Sequence, residues 1–133
     1  MDYVKIGGIS WDVVVESISE NFNILYSENT GRTMSRGAKM TLDPLGTFFG
    51  HKVTFRRKQG KETIFDQLFD FVSIPRYDGI DVEIVHDQST IKYKAYISNG
   101  ERNIKRIDAS VGKVYWDAFS LNIVPIEAQV LPE

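Results

Sequence analysis

The sequence predicts a mainly β protein, an antiparallel β-sandwich or partly open barrel with one flanking α-helix over about residues 63–74. Three observations lead there. Only Thr63–Pro75 (TIFDQLFDFVSIP) spaces its apolar residues as a helix does, with Ile64, Phe65, Leu68, Phe69 and Val72 at i, i+1, i+4, i+5 and i+8. Almost everything else reads as strand and turn, with the cleanest period-two pattern in Thr90–Ser98, where Ile91, Tyr93, Ala95 and Ile97 alternate with Lys92, Lys94 and Tyr96. Gly, Pro, Asn and Asp signals then separate these stretches at short intervals, which implies hairpin connections.

Taken in order, Tyr3–Ile6 is a short strand, and Gly7-Gly8 make a turn in which positive φ is cheap. Ile9–Ile18 is rich in β-branched residues and reads as strand, and Phe22, Ile24 and Tyr26 mark a further extended piece. Ser27–Lys39 (SENTGRTMSRGAK) has the composition of a long loop, with two glycines, three cations and Met34 as its one large apolar side chain. Met40–Leu42 and Lys52–Arg57 read as strands around a turn at Asp43-Pro44-Leu45-Gly46, with Phe48-Phe49 adding rings to the core. Thr63 is the expected N-cap of the helix, with Asp66 in a capping-box-like position, and Pro75 ends it. The opposite helix face carries Asp66, Gln67, Asp70 and Ser73. Beyond the Arg76–Gly79 turn, four strands are expected: Ile80–Val85, Thr90–Ser98, Glu101–Asp108 and Val114–Ile126. Turns at Asp87–Ser89, Ser98-Asn99-Gly100 and Val111-Gly112-Lys113 join them. Residues 1–133 form a single β-rich domain on this reading, without internal repeats.

Composition narrows the function classes. A chain of 133 residues, 42% hydrophobic and 26% charged, has globular composition and supports a core without staples. Sixteen basic and eighteen acidic residues leave a formal net charge of −2, which gives no overall electrostatic footprint for nucleic acid or an anionic membrane. With no cysteine, disulfides, thiolate nucleophiles and cysteine zinc sites are excluded. No apolar run approaches the roughly 20 residues of a membrane helix, and the N-terminus lacks the pattern of a secretory signal.

The residues give no catalytic, cofactor-binding or metal-binding assignment. His51 and His86 are the only histidines, and they read as ordinary surface or half-buried side chains. His86 and Asp87 are neighbours that would face opposite ways on a strand, and they pair only if the turn bends them together. Asp66 and Asp70, one helical turn apart, read as a solvated face. Arg56-Arg57-Lys58 is the densest basic cluster and suits a strand end or a contact with an acidic neighbouring subunit. Arg32, Arg36 and Lys39 in the long loop point the same way. Trp11, Tyr93 and Trp116 are expected in the core, and Tyr96 on the lysine-bearing face is the candidate exposed anchor. The candidate subunit-interface set is therefore Arg32, Met34, Arg36, Lys39, Arg56, Arg57, Asp66, Asp70 and Tyr96.

The layout also carries a resemblance. VKIGGISW is followed by a polar loop with Gly31-Arg32, a strand ending VTFRR, the helix TIFDQLFDF, then YISNGERNIKRI and VYWDAFSLNIVPIEA. In order and spacing this resembles the small tail and minor structural proteins of tailed bacteriophages and prophages. The resemblance implies a tail-tube-like fold and a structural, non-catalytic protein of the tail tube, baseplate or head–tail junction. It implies a protein made in the host cytoplasm, located in the virion tail, that joins copies of itself in rings and contacts other tail proteins. It implies no cofactor, no membrane and no sequence-specific nucleic acid. The alternative from the residues alone is a monomeric β-barrel module that binds a peptide or carbohydrate through exposed aromatics such as Tyr96.

Overall fold

A computed structural model of the chain describes residues 3–32, 37 and 39–133. The elements run β1 (Val4–Ile6), β2 (Val14–Tyr26), β3 (Gly31–Arg32), β4 (Met40–Thr41), β5 (Pro44–Arg56), α1 (Glu62–Val72), β6 (Ile80–His86), β7 (Ser89–Asp108) and β8 (Lys113–Pro125). Six strands form one antiparallel sheet in the order β1-β6-β7-β8-β5-β2, and β3 and β4 pair separately at the base of the long loop. The predicted mainly β class is what the chain adopts, with a single flanking helix among the described residues.

The sheet is strongly curled. Four strand spacings separate β6 from β2, which would be about 19 Å in a flat sheet. Yet His86 of β6 and Glu20 of β2 lie within hydrogen-bond distance, 2.8 Å apart. Phe49 of β5 also packs on the His86 ring with centroids 4.8 Å apart. The sheet must therefore bend back on itself as a partly open barrel.

The inward row of each strand supplies the core. Ile6, Val53, Phe55, Ile84, Phe119, Leu121 and Ile123 are all at most 2% exposed. The helix closes this surface through Phe65, Leu68 and Val72. Phe119 is the centre of the contact: Phe65, Phe55 and Phe69 place their rings 5.0, 5.4 and 5.4 Å from it. At about 1.5–3 kcal/mol for each large apolar side chain, the three buried helix residues contribute about 5–9 kcal/mol. Trp11, Tyr93 and Trp116 pack against this core but stay half-buried.

Several expected boundaries move. The helix starts at Glu62, and its N-cap is Lys61 without a side-chain hydrogen bond, so Thr63 lies inside the first turn rather than capping it. Its C-terminal end is held by Arg76, whose guanidinium donates to the carbonyls of Phe71 and Ile74 and stacks 4.4 Å from the Phe71 ring. The two extended pieces before residue 27 are one strand that starts at Val14, with a bulge between Val15 and Ser17. Asp43-Pro44-Leu45-Gly46 is not a hairpin turn. Asp43 instead fastens the loop base, accepting from the Ser27 hydroxyl at 2.5 Å while its own N–H donates to the Thr30 hydroxyl. Pro44 then opens β5, a first-strand position where its missing N–H is tolerated.

Ser98-Asn99-Gly100 does not turn either. It is a bulge within the 20-residue β7, between the pairs Ile97–Ile123 and Gly100–Leu121. Pairing along thirteen residues of β8 outweighs a local turn signal, so three strands follow the helix rather than four. The Gly7-Gly8 turn forms as expected, with both φ angles positive, and Phe71 would lie 2.6 Å from a side-chain carbon at Gly7.

Candidate functional site

The inward rows of β2 and β5 each carry one polar residue where the pattern calls for an apolar one. On β2 the row runs Ile18, Glu20, Phe22 and Ile24, and on β5 it runs Phe49, His51, Val53 and Phe55. Glu20 and His51 face each other in the ladder. His51 is only 3% exposed, so both ring nitrogens need partners. They have them: Nδ1 lies 2.7 Å from the Tyr93 hydroxyl and Nε2 lies 2.8 Å from Glu20 Oε2. The same carboxylate oxygen accepts from His86 Nδ1. Four strands, β2, β5, β6 and β7, thus meet in one polar network at the end of the barrel.

Its protonation follows from the surroundings. Burial pushes the His51 imidazole below the ordinary value, outweighing the opposing pull of Glu20. A neutral His51 then holds its proton on Nε2, donating to Glu20, while Nδ1 accepts from Tyr93. Burial drives the Tyr93 phenol strongly upward, with the Glu20 charge adding to it, which keeps the phenol protonated. His86 is raised, chiefly by its hydrogen bond to Glu20. At Glu20 partial burial acts upward, but the hydrogen bonds from His86 and His51 prevail and hold the carboxyl below its ordinary range. The Tyr93 hydroxyl, His51 Nε2–H and His86 Nδ1–H each have an acceptor within the set, so the network clasps strands across the barrel seam. Among the described residues, no group of three or more His, Asp or Glu side chains is arranged to hold a metal ion.

The two histidines thus differ from their sequence reading. His51 is a core side chain rather than a surface or half-buried one, and only His86 is half-buried. The turn does bend His86 towards Asp87, whose φ is +53°, but that pair is 3.6 Å apart with Asp87 largely exposed. Glu20 escaped the sequence reading, and Tyr93, read there as a core ring, also holds His51 through its hydroxyl. The only signal was parity, an acid standing in line with Ile18 and Phe22.

The candidate interface residues occupy several separate places. Met34 and Arg36 lie outside the described residues. Arg32 and Lys39 are exposed, Arg32 within β3 opposite Met40 and Lys39 just before β4. Arg56 is exposed at the end of β5, opposite Val14. Arg57 is half-buried over the Tyr115 ring at 4.8 Å, and its Nη1 is buried without a hydrogen-bond partner. Asp66 is engaged within the chain: Arg102 donates to it at 3.1 Å and is itself sandwiched between Phe69 and Trp116. Asp70 is exposed, and Tyr96 is 49% exposed on the outer sheet face. No described helix is long and apolar enough to cross a membrane. No family model matches the chain, and no curated protein is similar to it.

Proposed function

We propose that the chain is a structural protein of a bacteriophage or prophage tail that assembles with copies of itself into rings and contacts other tail proteins. One observation supports this reading beyond the sequence resemblance: the sheet ends in two long arms that point in opposite directions. One is a β7–β8 ribbon, and the other is a β2–β5 ladder whose β5 edge is bordered by Gln129 and Val130 through the bridge to Thr47. β5 pairs with β8 only from His51–Ile123 to Phe55–Phe119. Past Phe119 the β7–β8 ladder continues alone to Asp108–Lys113, and at the other end the β2–β5 ladder continues to Tyr26–Pro44.

Both arms expose apolar residues. Phe22 (68% exposed), Ile24, Leu25 and Tyr26 mark one, and Ile104, Ile107 (62% exposed), Val111 and Val114 mark the other. The two-stranded β7–β8 ribbon is marginal by itself, and clustered apolar side chains at the surface of either arm favour association. Two different sticky ends on opposite sides suit a head-to-tail contact, the kind that closes into rings when its rotation permits. Among the described residues, the outer edge of β2 also pairs with no strand, which leaves backbone groups open to a neighbour.

Size-exclusion chromatography with light scattering, followed by negative-stain microscopy, tests the proposal. Concentration-dependent oligomers or rings are expected, and residues 27–39 should resist protease only in the assembled fraction. A strictly monomeric protein at high concentration, with no tail protein captured, refutes it.

A further inference from the structure

The outer face of the curled sheet holds a shallow groove of about 740 Å³ across β2, β5, β8 and β7. Its floor is Gly50. Asn21 faces Gly50 on β2, and on the other side Val124 of β8 is paired with Tyr96 of β7. The missing side chain makes the notch, since a Cβ at Gly50 would sit 2.7 Å from Asn21 Oδ1. Phe48, two residues along β5, and Tyr96, two strands across, stand at its two ends. At about 4.8 Å between strands and about 3.3 Å per residue, the two backbone positions are roughly 12 Å apart along the sheet.

The lining between these rings is amide-rich and nearly uncharged. Asn21, Asn23 and Asn122 contribute side-chain amides, and among the described residues Lys52 is the one acidic or basic lining residue besides the inward-turned His51. A side-chain amide carries donors and an acceptor, the combination that reads a hydroxyl group, and Asn122 keeps its acceptor and one donor beyond the bond that its Nδ2 gives Asn99 Oδ1 at 2.6 Å. Aromatic rings supply an apolar face for the C–H side of a sugar ring, and ligand sites of this kind combine such surfaces with a few convergent polar groups. A nucleic acid strand would call for a line of cations, and a peptide strand would seek a sheet edge rather than a face. We infer that this groove binds a short neutral oligosaccharide, with Tyr96 and Phe48 as stacking platforms and the three asparagines reading its hydroxyls. The inference stands independently of self-assembly.

Calorimetric titration of the full chain with cellotetraose, maltotetraose and the N-acetylglucosamine tetramer, alongside NMR of the side-chain amides, tests it. At least one of the three sugars should bind saturably and shift the Asn21, Asn23 and Asn122 amide resonances. Tyr96→Ala and Phe48→Ala should each weaken that binding at least tenfold, whereas Lys113→Ala on the distant hairpin should not. Because Phe48 is partly buried, Tyr96→Ala with an unchanged thermal midpoint is the decisive variant, and Asn122→Ala gives a second readout. Absence of saturable binding by all three sugars at millimolar concentration overturns the inference. So does wild-type affinity in both Tyr96→Ala and Asn122→Ala.

Discussion

Replacing Glu20 with alanine removes the acceptor shared by two histidines, and the structure sets the size of the loss. His51 Nε2–H, in a side chain only 3% exposed, is left without a partner, a defect of about 1–3 kcal/mol. The His86 bond is at the surface end of the network and adds less, because water can replace it. A total of about 2–3 kcal/mol corresponds to a thermal midpoint lower by about 10 °C for a domain of this size. Glu20→Gln keeps a neutral acceptor and should cost about 1 kcal/mol.

The pH dependence separates this network from simple packing. Glu20 titrates below the ordinary 4.5 in the folded chain, so its contribution is complete above 4.5 and disappears as pH falls through the folded value. His86 is raised above 6.5, so its contribution is complete below 6.5 and is lost as pH rises through the folded value. His51 is depressed, so acid below 6.5 destabilises the fold, and more so when Glu20 no longer opposes the shift. The stability gap between wild type and Glu20→Ala should therefore be widest between about pH 4.5 and 6.5 and narrow on both sides. Urea unfolding followed by circular dichroism from pH 4 to 8 measures it. A gap that stays flat over that range, or an alanine variant no less stable than the glutamine variant, refutes the reasoning.

Other substitutions probe the remaining joints. Leu68→Ala, at a fully buried helix position, should cost about 2–5 kcal/mol in denaturant unfolding, whereas the exposed Gln67→Ala on the same helix should stay within about 0.5 kcal/mol. Gly79→Ala should destabilise the fold by more than about 1 kcal/mol in the same assay, because its φ is +75° and the added carbon would meet the Ala95 carbonyl oxygen at 2.5 Å. Phe22→Ser with Ile24→Ser on one arm, or Ile104→Ser with Ile107→Ser on the other, should each shift light-scattering mass to the monomer while leaving the thermal midpoint nearly unchanged. Reversal of Asp66 and Asp70 to lysine should weaken the fold by about 1 kcal/mol through the lost Arg102 bond. If these acids also meet a neighbour's cations, the same double variant should lower the assembled fraction in light scattering, and an unchanged fraction would confine them to the intrachain role.

What the sequence by itself determined was everything that depends on local periodicity. The helical stripe from Ile64 to Val72, the alternation of Ile91, Tyr93, Ala95 and Ile97, and the glycines of the Gly7-Gly8 turn each carry their conformation in spacing or in backbone freedom. Local signals failed where long-range pairing was stronger. Asn99-Gly100 and Pro44 both suggest turns, but partners thirteen residues long held β7 and β5 extended through them. The network lay further out of reach: Glu20 is 31 residues from His51 and 66 from His86, and Tyr93 is 42 from His51. Only the curl of the sheet brings β2 to β6. That curl depends on the twist and packing of all six strands, which no single stretch of the chain records. The same holds for the outer groove, whose glycine floor and two rings come from β5 and β7, set on either side of β8 by register alone.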